Sequence, residues 1–275
     1  RLDYALRVAG PLVADMVSAM EQLWWRLQAV RAARQREFIA AWDALRGSRP
    51  AGDFSRLLRK FEARARGFAG TDALEAESTL VGVDGARAAL LLRDNVAHRH
   101  DIERAYLKAI GSAHREVVIA NAYFIPGRRL RKALLHARER GVRVRLLLQG
   151  RYEHFLQYRA ARPVLKRLAN AGIEVHEYAP SALHAKVAVV DERWATVGST
   201  NLDPLSLLLA REANVMTTDK RFAALLRDQL DHLMRTAGTP LDAAALNRRP
   251  WKDRVLDRFA FGVMRGVLFL TGHRY

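Results

Sequence analysis

Between residues 88 and 178 the chain alternates short apolar runs with amphipathic stretches, and this alternation restricts the possible folds more than any other feature of the sequence. "AALLL" (88–92) reads as a strand, followed by a helix pattern through "DIERAYLKAIGSAH" (101–114). "VVIANAYF" (117–124) reads as a strand and "RRLRKALLHARER" (128–140) as a helix ended by Gly141. "VRVRLLL" (142–148) is a further strand, "ARPVLKRLANAG" (161–172) a helix and "IEVHEY" (173–178) a strand. Strands separated by helices of this length predict a layered α/β domain with a mixed, largely parallel sheet flanked by helices. "KVAVVD" and "RWATVG" then form two closely spaced strands, read as a pair.

The first of those two strands opens on chemistry. Residues 183–204, "LHAKVAVVDERWATVGSTNLDP", contain His-x-Lys-x4-Asp-x6-Gly-Ser-x-Asn. Chance occurrence of that pattern in a chain of this length is on the order of 10⁻⁵, so it is read as functional. Residues two apart in a strand face the same side, so His184 and Lys186 project together while Val187 and Val189 point into the core. Gly198 permits close backbone approach, and Ser199 and Asn201 are expected at the start of a helix running into "STNLDPLSLLL", where donors lie beside the positive end of the macrodipole. An imidazole, an ammonium, an amide and a hydroxyl on one small space suit a phosphate oxyanion. Lys186, Asn201 and Ser199 are the candidates to stabilise its charge. The His184 imidazole can either attack phosphorus or carry a proton at neutral pH. Glu212, opening the next strand, is expected to hydrogen-bond the other ring nitrogen. Asp191 closes its strand before a turn, where a structural hydrogen bond explains it as well as catalysis does. Tyr123, Phe124, Arg151 and His154 lie at strand ends and are candidates to line a substrate, or are ordinary loop and core positions. No cofactor and no metal is implied, since the motif lacks histidines and carboxylates at ligand spacing.

An internal repeat adds to this. The opening "LDYALRVAGPLVADMVSAMEQLW" (2–24) aligns with "REANVMTTDKRFAALLRDQLDHLM" (211–234), placing Asp3 on Glu212, "YALRVAG" on the strand "ANVMTTD" and Val13 on Phe222. Val13, Met16, Val17, Met20 and Trp24 then keep the helical spacing of Phe222, Leu225, Leu226, Leu230 and Leu233. The spacing from Ser199 to Glu212 would put a first copy of the motif about ten residues before Arg1. With no initiating methionine and a strand pattern from the start, the chain reads as a fragment.

Forty-six Lys and Arg against 29 Asp and Glu give a formal charge of +17, which points to a polyanionic surface, either nucleic acid or an anionic membrane. Without cysteine, disulfides and thiolate metal sites are excluded. No apolar run reaches the ~18 residues expected of a spanning helix. Much of the basic excess lies in a helical stretch at 26–66, either a solvated helix pair or a cationic face for phosphates, and 67–85 reads as a linker. The tail "DRVLDRFAFGVMRGVLFLTG" (253–272) has Arg254, Asp257, Arg258 and Arg265 near one helical face, with Val255, Phe259, Val263 and Leu270 at other positions. It suits either a membrane interface or docking on the protein's own core; lying outside the sheet domain, it is assigned to the interface.

The motif resembles the HKD signature of the phospholipase D superfamily. "HAKVAVVDERWATVGSTNLDPLSLLLAREANV" is similar to the second such motif of bacterial cardiolipin synthases, the B type in particular. "ANAYFIPGRRLRKALLHARERGVRVRLLLQGRYEH" (120–154), with Tyr123, Phe124 and Pro126, resembles the segment preceding it, and the opening and the tail fit as well. The resemblance implies a two-domain pseudo-dimer in which two HKD histidines share one site. Residues 1–80 would be the C-terminal remnant of the first phospholipase D-like domain with a basic insert and linker, 81–240 the second domain, and 241–275 a membrane-interface tail. It further implies a phosphatidyltransferase making cardiolipin from two phosphatidylglycerol molecules through a phosphohistidine, with release of glycerol, at the cytoplasmic side of the bacterial inner membrane. The first-motif histidine would be the nucleophile and His184 the acid and base. The partners implied are an anionic phospholipid membrane, not nucleic acid, and the missing half of the same chain or a second copy in a homodimer. The alternative is a phosphodiesterase or nuclease of the same superfamily that uses water as acceptor.

Overall fold

The computed structural model describes residues 1–34, 83–94, 97–151 and 155–270. The expected basic stretch beyond residue 34, the linker to residue 82 and His154 therefore lie outside the described residues. By contact the chain divides into two units, one of Arg1–Arg7 with Gly82–Tyr275 and one of Val8–Val81. The second contributes helix α1 (Leu12–Arg34), which covers the helix expected from the repeat, although Val13 and Met20 of the expected apolar face are exposed.

In the first unit eight strands form one sheet: β1 (Ala88–Arg93), β2 (Glu116–Asn121), β3 (Arg143–Gln149), β4 (Glu174–Tyr178), β5 (Lys186–Val190), β6 (Trp194–Gly198), β7 (Glu212–Thr217) and β8 (Gly238–Pro240). Their order is β1-β7-β6-β5-β2-β3-β4-β8. Every residue of β2 and β5 is buried, which is why "EVVIAN" and "KVAVV" show no polar alternation: both faces of these central strands are covered. Val117 and Ile119 of β2 face one layer, packed with Ile102, Tyr106 and Ile110 of α2 (Asp101–Gly111), Leu130 and Leu134 of α3 (Arg128–Glu139) and Val164 and Leu168 of α4 (Phe155–Asn170). Val118 and Ala120 face the other, against Ala223, Leu226, Leu230 and Met234 of α5 (Lys220–Ala237). A short α6 (Ala243–Asn247) leads to α7 (Trp251–Leu270), whose buried Ala260 joins the α2–α4 layer.

The mixed α/β architecture agrees with the sequence, but the expected largely parallel sheet needs correction. Only the β2–β3 and β3–β4 junctions, each joined by a helix, are parallel. The others are antiparallel, because β5 and β6 are joined by a turn of only three residues, 191–193, and β7, β1 and β8 then pair in opposed directions. In that turn Asp191 and Glu192 both have φ of 52°, and Arg193 N–H donates to Val190 O at 3.0 Å, a type I′ arrangement matched to strand twist.

Two further expectations change. "YALRVAG" does not enter a ladder among the described residues; Leu2 alone bridges Leu183. Its strand-like alternation is nonetheless real, with Leu2, Tyr4 and Leu6 packed on the α5-side core and Arg1, Asp3, Ala5 and Arg7 exposed. The helix read from residue 161 starts at Phe155, so Pro163 lies inside α4 and removes one intrahelical hydrogen bond there.

Candidate active site

The last register pair between β5 and β2 is Lys186 opposite Asn121, so His184 lies in the loop beyond the sheet at the C-terminal end of β2. What fixes that loop is the chain's first residues. Leu2 N–H donates to Ala182 O at 2.8 Å, and His184 N–H donates to Leu2 O at 2.8 Å. This brings Asp3 beside the imidazole, with Nδ1 at 3.3 Å from both carboxylate oxygens. Arg1 pairs with Asp3 at 3.2 Å and its guanidinium also reaches Nδ1. The His184 side chain is 40% exposed, so the ring is held yet open to a ligand.

Lys186 is buried, with Nζ donating to the His184 carbonyl at 2.8 Å. Burial lowers its pKa to about 8, opposed by the carboxylates of Asp3, Glu212 and Asp203 and assisted by Arg1. An ammonium so poor in partners is suited to an incoming anion.

The loop after β6 is tied down by buried amides. Asn121 Oδ1 accepts from Leu202 N–H at 3.1 Å, and Thr200 Oγ1 donates to Asn214 Oδ1 at 2.6 Å. Gly198 is required here: a Cβ would lie 2.3 Å from the Asn214 side chain and 2.5 Å from Ala213 O. Asn201 Oδ1 accepts from Tyr123 N–H at 3.4 Å, which leaves its amide nitrogen as the free donor. Ser199 donates to the Glu212 carboxylate and accepts from Ala213 N–H at 3.1 Å.

Three sequence expectations are corrected. Glu212 is bound to Ser199 and not to the His184 ring, because β6 lies between β7 and β5; Asp3 takes that position. Ser199 and Asn201 do not start a helix. The next turn is a π-helix over Leu205–Leu209 whose cap is Asp203, accepting from Ser206 N–H at 3.0 Å. Asp191 is not brought to the site: it follows the opposite end of β5 and accepts from the backbone N–H groups of His114, Arg115 and Glu116, each at 2.8 Å. Desolvation raises its pKa, and these three donors outweigh that, leaving it below the usual carboxylate range.

Tyr123, Phe124 and Arg151 line a cleft of about 50 Å³ beside the site, between α4 and the ends of β2 and β3. Phe124 is buried and bridges Leu202. The Arg151 guanidinium donates to Ala179 O at 2.9 Å and to Pro180 O, clamping the loop that leads to His184. Gln149, absent from the sequence candidates, accepts from Leu183 N–H at 3.2 Å and steadies the same loop. Asp3 was also absent from them, although the repeat carried a signal for it, since Asp3 aligns with Glu212. Among the described residues no group of three His, Asp or Glu side chains could hold a metal ion.

Residues 106–234 match the family described as cardiolipin synthase, PLD-like domain. The chain is 44% identical over 187 residues to cardiolipin synthase B of Escherichia coli K12, covering 68% of this chain and 45% of that protein. It is 37% identical over 270 residues to cardiolipin synthase B of Salmonella typhi, covering 98% and 56%. It thus spans about half the length of the curated relatives it matches. The crystal structure of phosphatidylserine synthase from Haemophilus influenzae Rd KW20 superposes with a TM-score of 0.53 at 16% identity, over 75% of this chain and 52% of that one, a likeness of fold alone.

Proposed function

The chain carries a PLD-like domain of the cardiolipin synthase family, and on that footing we propose that the whole protein is a phosphatidyltransferase that makes cardiolipin from two phosphatidylglycerol molecules. The observation that carries this reading is the Asp3–His184–Lys186 arrangement, an imidazole with its Nδ1 at 3.3 Å from a carboxylate beside a desolvated ammonium. For Nδ1 to keep its proton on Asp3, the exposed Arg1 guanidinium, which can only donate, pairs with the carboxylate in place of the ring, and Nε2 is left to exchange a proton with the reacting oxygen. Lys186 and the Asn201 amide meet the non-bridging oxygens, whose charge grows in the transition state.

On this reading the preceding half of the full-length protein supplies a second histidine, which attacks phosphorus. An N–P bond forms, the P–O bond to glycerol breaks, and protonated His184 gives its Nε2 proton to the leaving oxygen. His184 then takes the proton from a hydroxyl of the second phosphatidylglycerol, whose oxygen attacks phosphorus and releases the first histidine. The Asp3–Glu212 equivalence in the repeat supports the pairing of halves, with residues 1–80 belonging to the first, 81–240 forming the second and 241–275 the membrane-facing tail. The protein would work peripherally on the cytoplasmic face of the inner membrane; among the described residues no helix is long and apolar enough to cross a bilayer.

The test is to give the full-length enzyme phosphatidylglycerol vesicles and follow glycerol and cardiolipin together. Equimolar release and formation, lost in His184→Ala, are expected. Product formation that survives His184→Ala would sink the reading, and phosphatidic acid in place of cardiolipin would assign water as the acceptor.

A further inference from the structure

Away from His184, α4 and α7 enclose a pocket of about 330 Å³. Its wall carries Arg162, Lys166 and Arg167 from α4 with Arg249, Arg254 and Arg258 from the segment entering and forming α7. Two of these cations are neutralised. Arg162 pairs with Glu177 at 2.7 Å, and Arg249 with the buried Asp257 at 3.6 Å. Asp257 is also held by Arg159 at 3.2 Å, so it is already shared. Lys166, Arg167, Arg254 and Arg258 have no ion-pair partner among the described residues. Four such cations around one concavity repel each other, a cost that an anion in the pocket would remove.

The rest of α7 says where that anion comes from. Trp251, Val255, Phe259 and Val263 recur every four residues and are 69%, 55%, 67% and 37% exposed. At about 100° per residue they make one apolar row, while Asp257 and Ala260 on the opposite side are buried at 3% and 1%. Arg254 and Arg258 fall between the row and the buried side, at the rim of the pocket. An apolar row edged by arginines is the form of a helix lying in a bilayer surface, with its cations at headgroup level.

We infer that the α4–α7 pocket is a second phosphate-binding site, separate from the His184 site, in which Lys166, Arg167, Arg254 and Arg258 hold the headgroup phosphate of an anionic phospholipid. Only the source of the phosphate rests on the membrane reading given above. The site requires no turnover, so its failure and that of the catalytic proposal are separable.

The test compares three proteins with their folds checked by circular dichroism: the wild type, a pocket variant (Lys166→Gln, Arg167→Gln, Arg254→Gln, Arg258→Gln), and a control losing the same charge elsewhere (Lys108→Gln, Arg193→Gln, Lys220→Gln, Arg221→Gln). Each is sedimented with phosphatidylcholine vesicles containing phosphatidylglycerol, and titrated calorimetrically with inorganic phosphate against chloride at equal ionic strength. At about fivefold per headgroup-level cation, full engagement of all four would give about 600-fold; the pocket variant should lose at least about tenfold in vesicle affinity, and the control no more than about twofold. Heat from inorganic phosphate that the pocket variant alone loses, without a vesicle defect, would keep the phosphate site and make free phosphate its occupant. Equal losses in the two variants, no loss in either arm, or a wild type that binds neither probe would overturn the site. So would duplex DNA binding that only the pocket variant loses while vesicles are unaffected.

Discussion

At the entry to β5 Lys186 is buried with one hydrogen bond, to the His184 carbonyl; just past its exit Asp191 is buried with three, all from the backbone of residues 114–116. The ammonium is driven toward neutrality by burial, whereas the carboxylate is held ionised by its donors. Nearby, Glu116 is bound by Arg145 at 2.9 Å and Arg227 at 2.8 Å, so the exit end is an ionic network in balance. One five-residue strand thus separates an end whose charge awaits a ligand from an end whose charge is already answered. The contrast teaches that membership of one sequence motif does not mean membership of one site.

The sharpest way to break this contrast is to remove the entry end's imidazole. His184→Ala in the full-length enzyme should lower kcat by about 10³-fold with little change in thermal stability, as read by cardiolipin formation and a melting curve. Asp3→Asn should cost less, about 10- to 100-fold in kcat with KM nearly unchanged, because the ring loses its orienting carboxylate and keeps its chemistry. Equal activity in Asp3→Asn would remove Asp3 from the site.

Acidity sharpens the comparison further. With Lys186 at about 8, kcat/KM should fall about tenfold per pH unit above 8 as the ammonium is lost, and Lys186→Arg should move that limb upward. The sign for folding is opposite. The unfolded lysine keeps its proton up to 10.5, so this group's contribution to stability rises between about 8 and 10.5.

The smallest effect on chemistry belongs to the exit end. Asp191→Asn tolerates the positive φ but sets an amide N–H against a backbone donor, and should destabilise by about 1–3 kcal/mol while activity per folded molecule is kept. Its depressed pKa adds stability that is present above the usual carboxylate range and lost as pH falls through its folded value. The wild type should therefore lose an acid-sensitive term as pH falls below the usual carboxylate range, and Asp191→Asn should lack it. A variant that folds as well as wild type but turns over a hundred times more slowly would return Asp191 to the catalytic group.

What the sequence made legible was local. The β5–β6 hairpin and the need for glycine at 198 follow from spacing of a few residues, whereas His184, read as strand, lies in the loop before β5. The antiparallel majority of the sheet did not, since alternating strands and helices leave open how β7, β1 and β8 attach to the edges. Asp3 and His184 are 181 positions apart, and no periodicity joins them. The repeat paired Asp3 with Glu212 but could not say that β6 would keep Glu212 from the ring. The helix expected at Ser199 failed because Asn121 and Asn214 pin that loop in another shape and Asp203 takes over the cap. Arg151 looked like a substrate contact for its charge and position, yet its guanidinium is occupied by two carbonyls.

The space above Gly198 belongs to Asn214, whose side chain fills what any larger residue would need. A smaller residue at 214 would not open that space, because the Ala213 carbonyl would still lie 2.5 Å from the new carbon. Glycine at 198 should therefore be inherited unchanged whatever happens at 214.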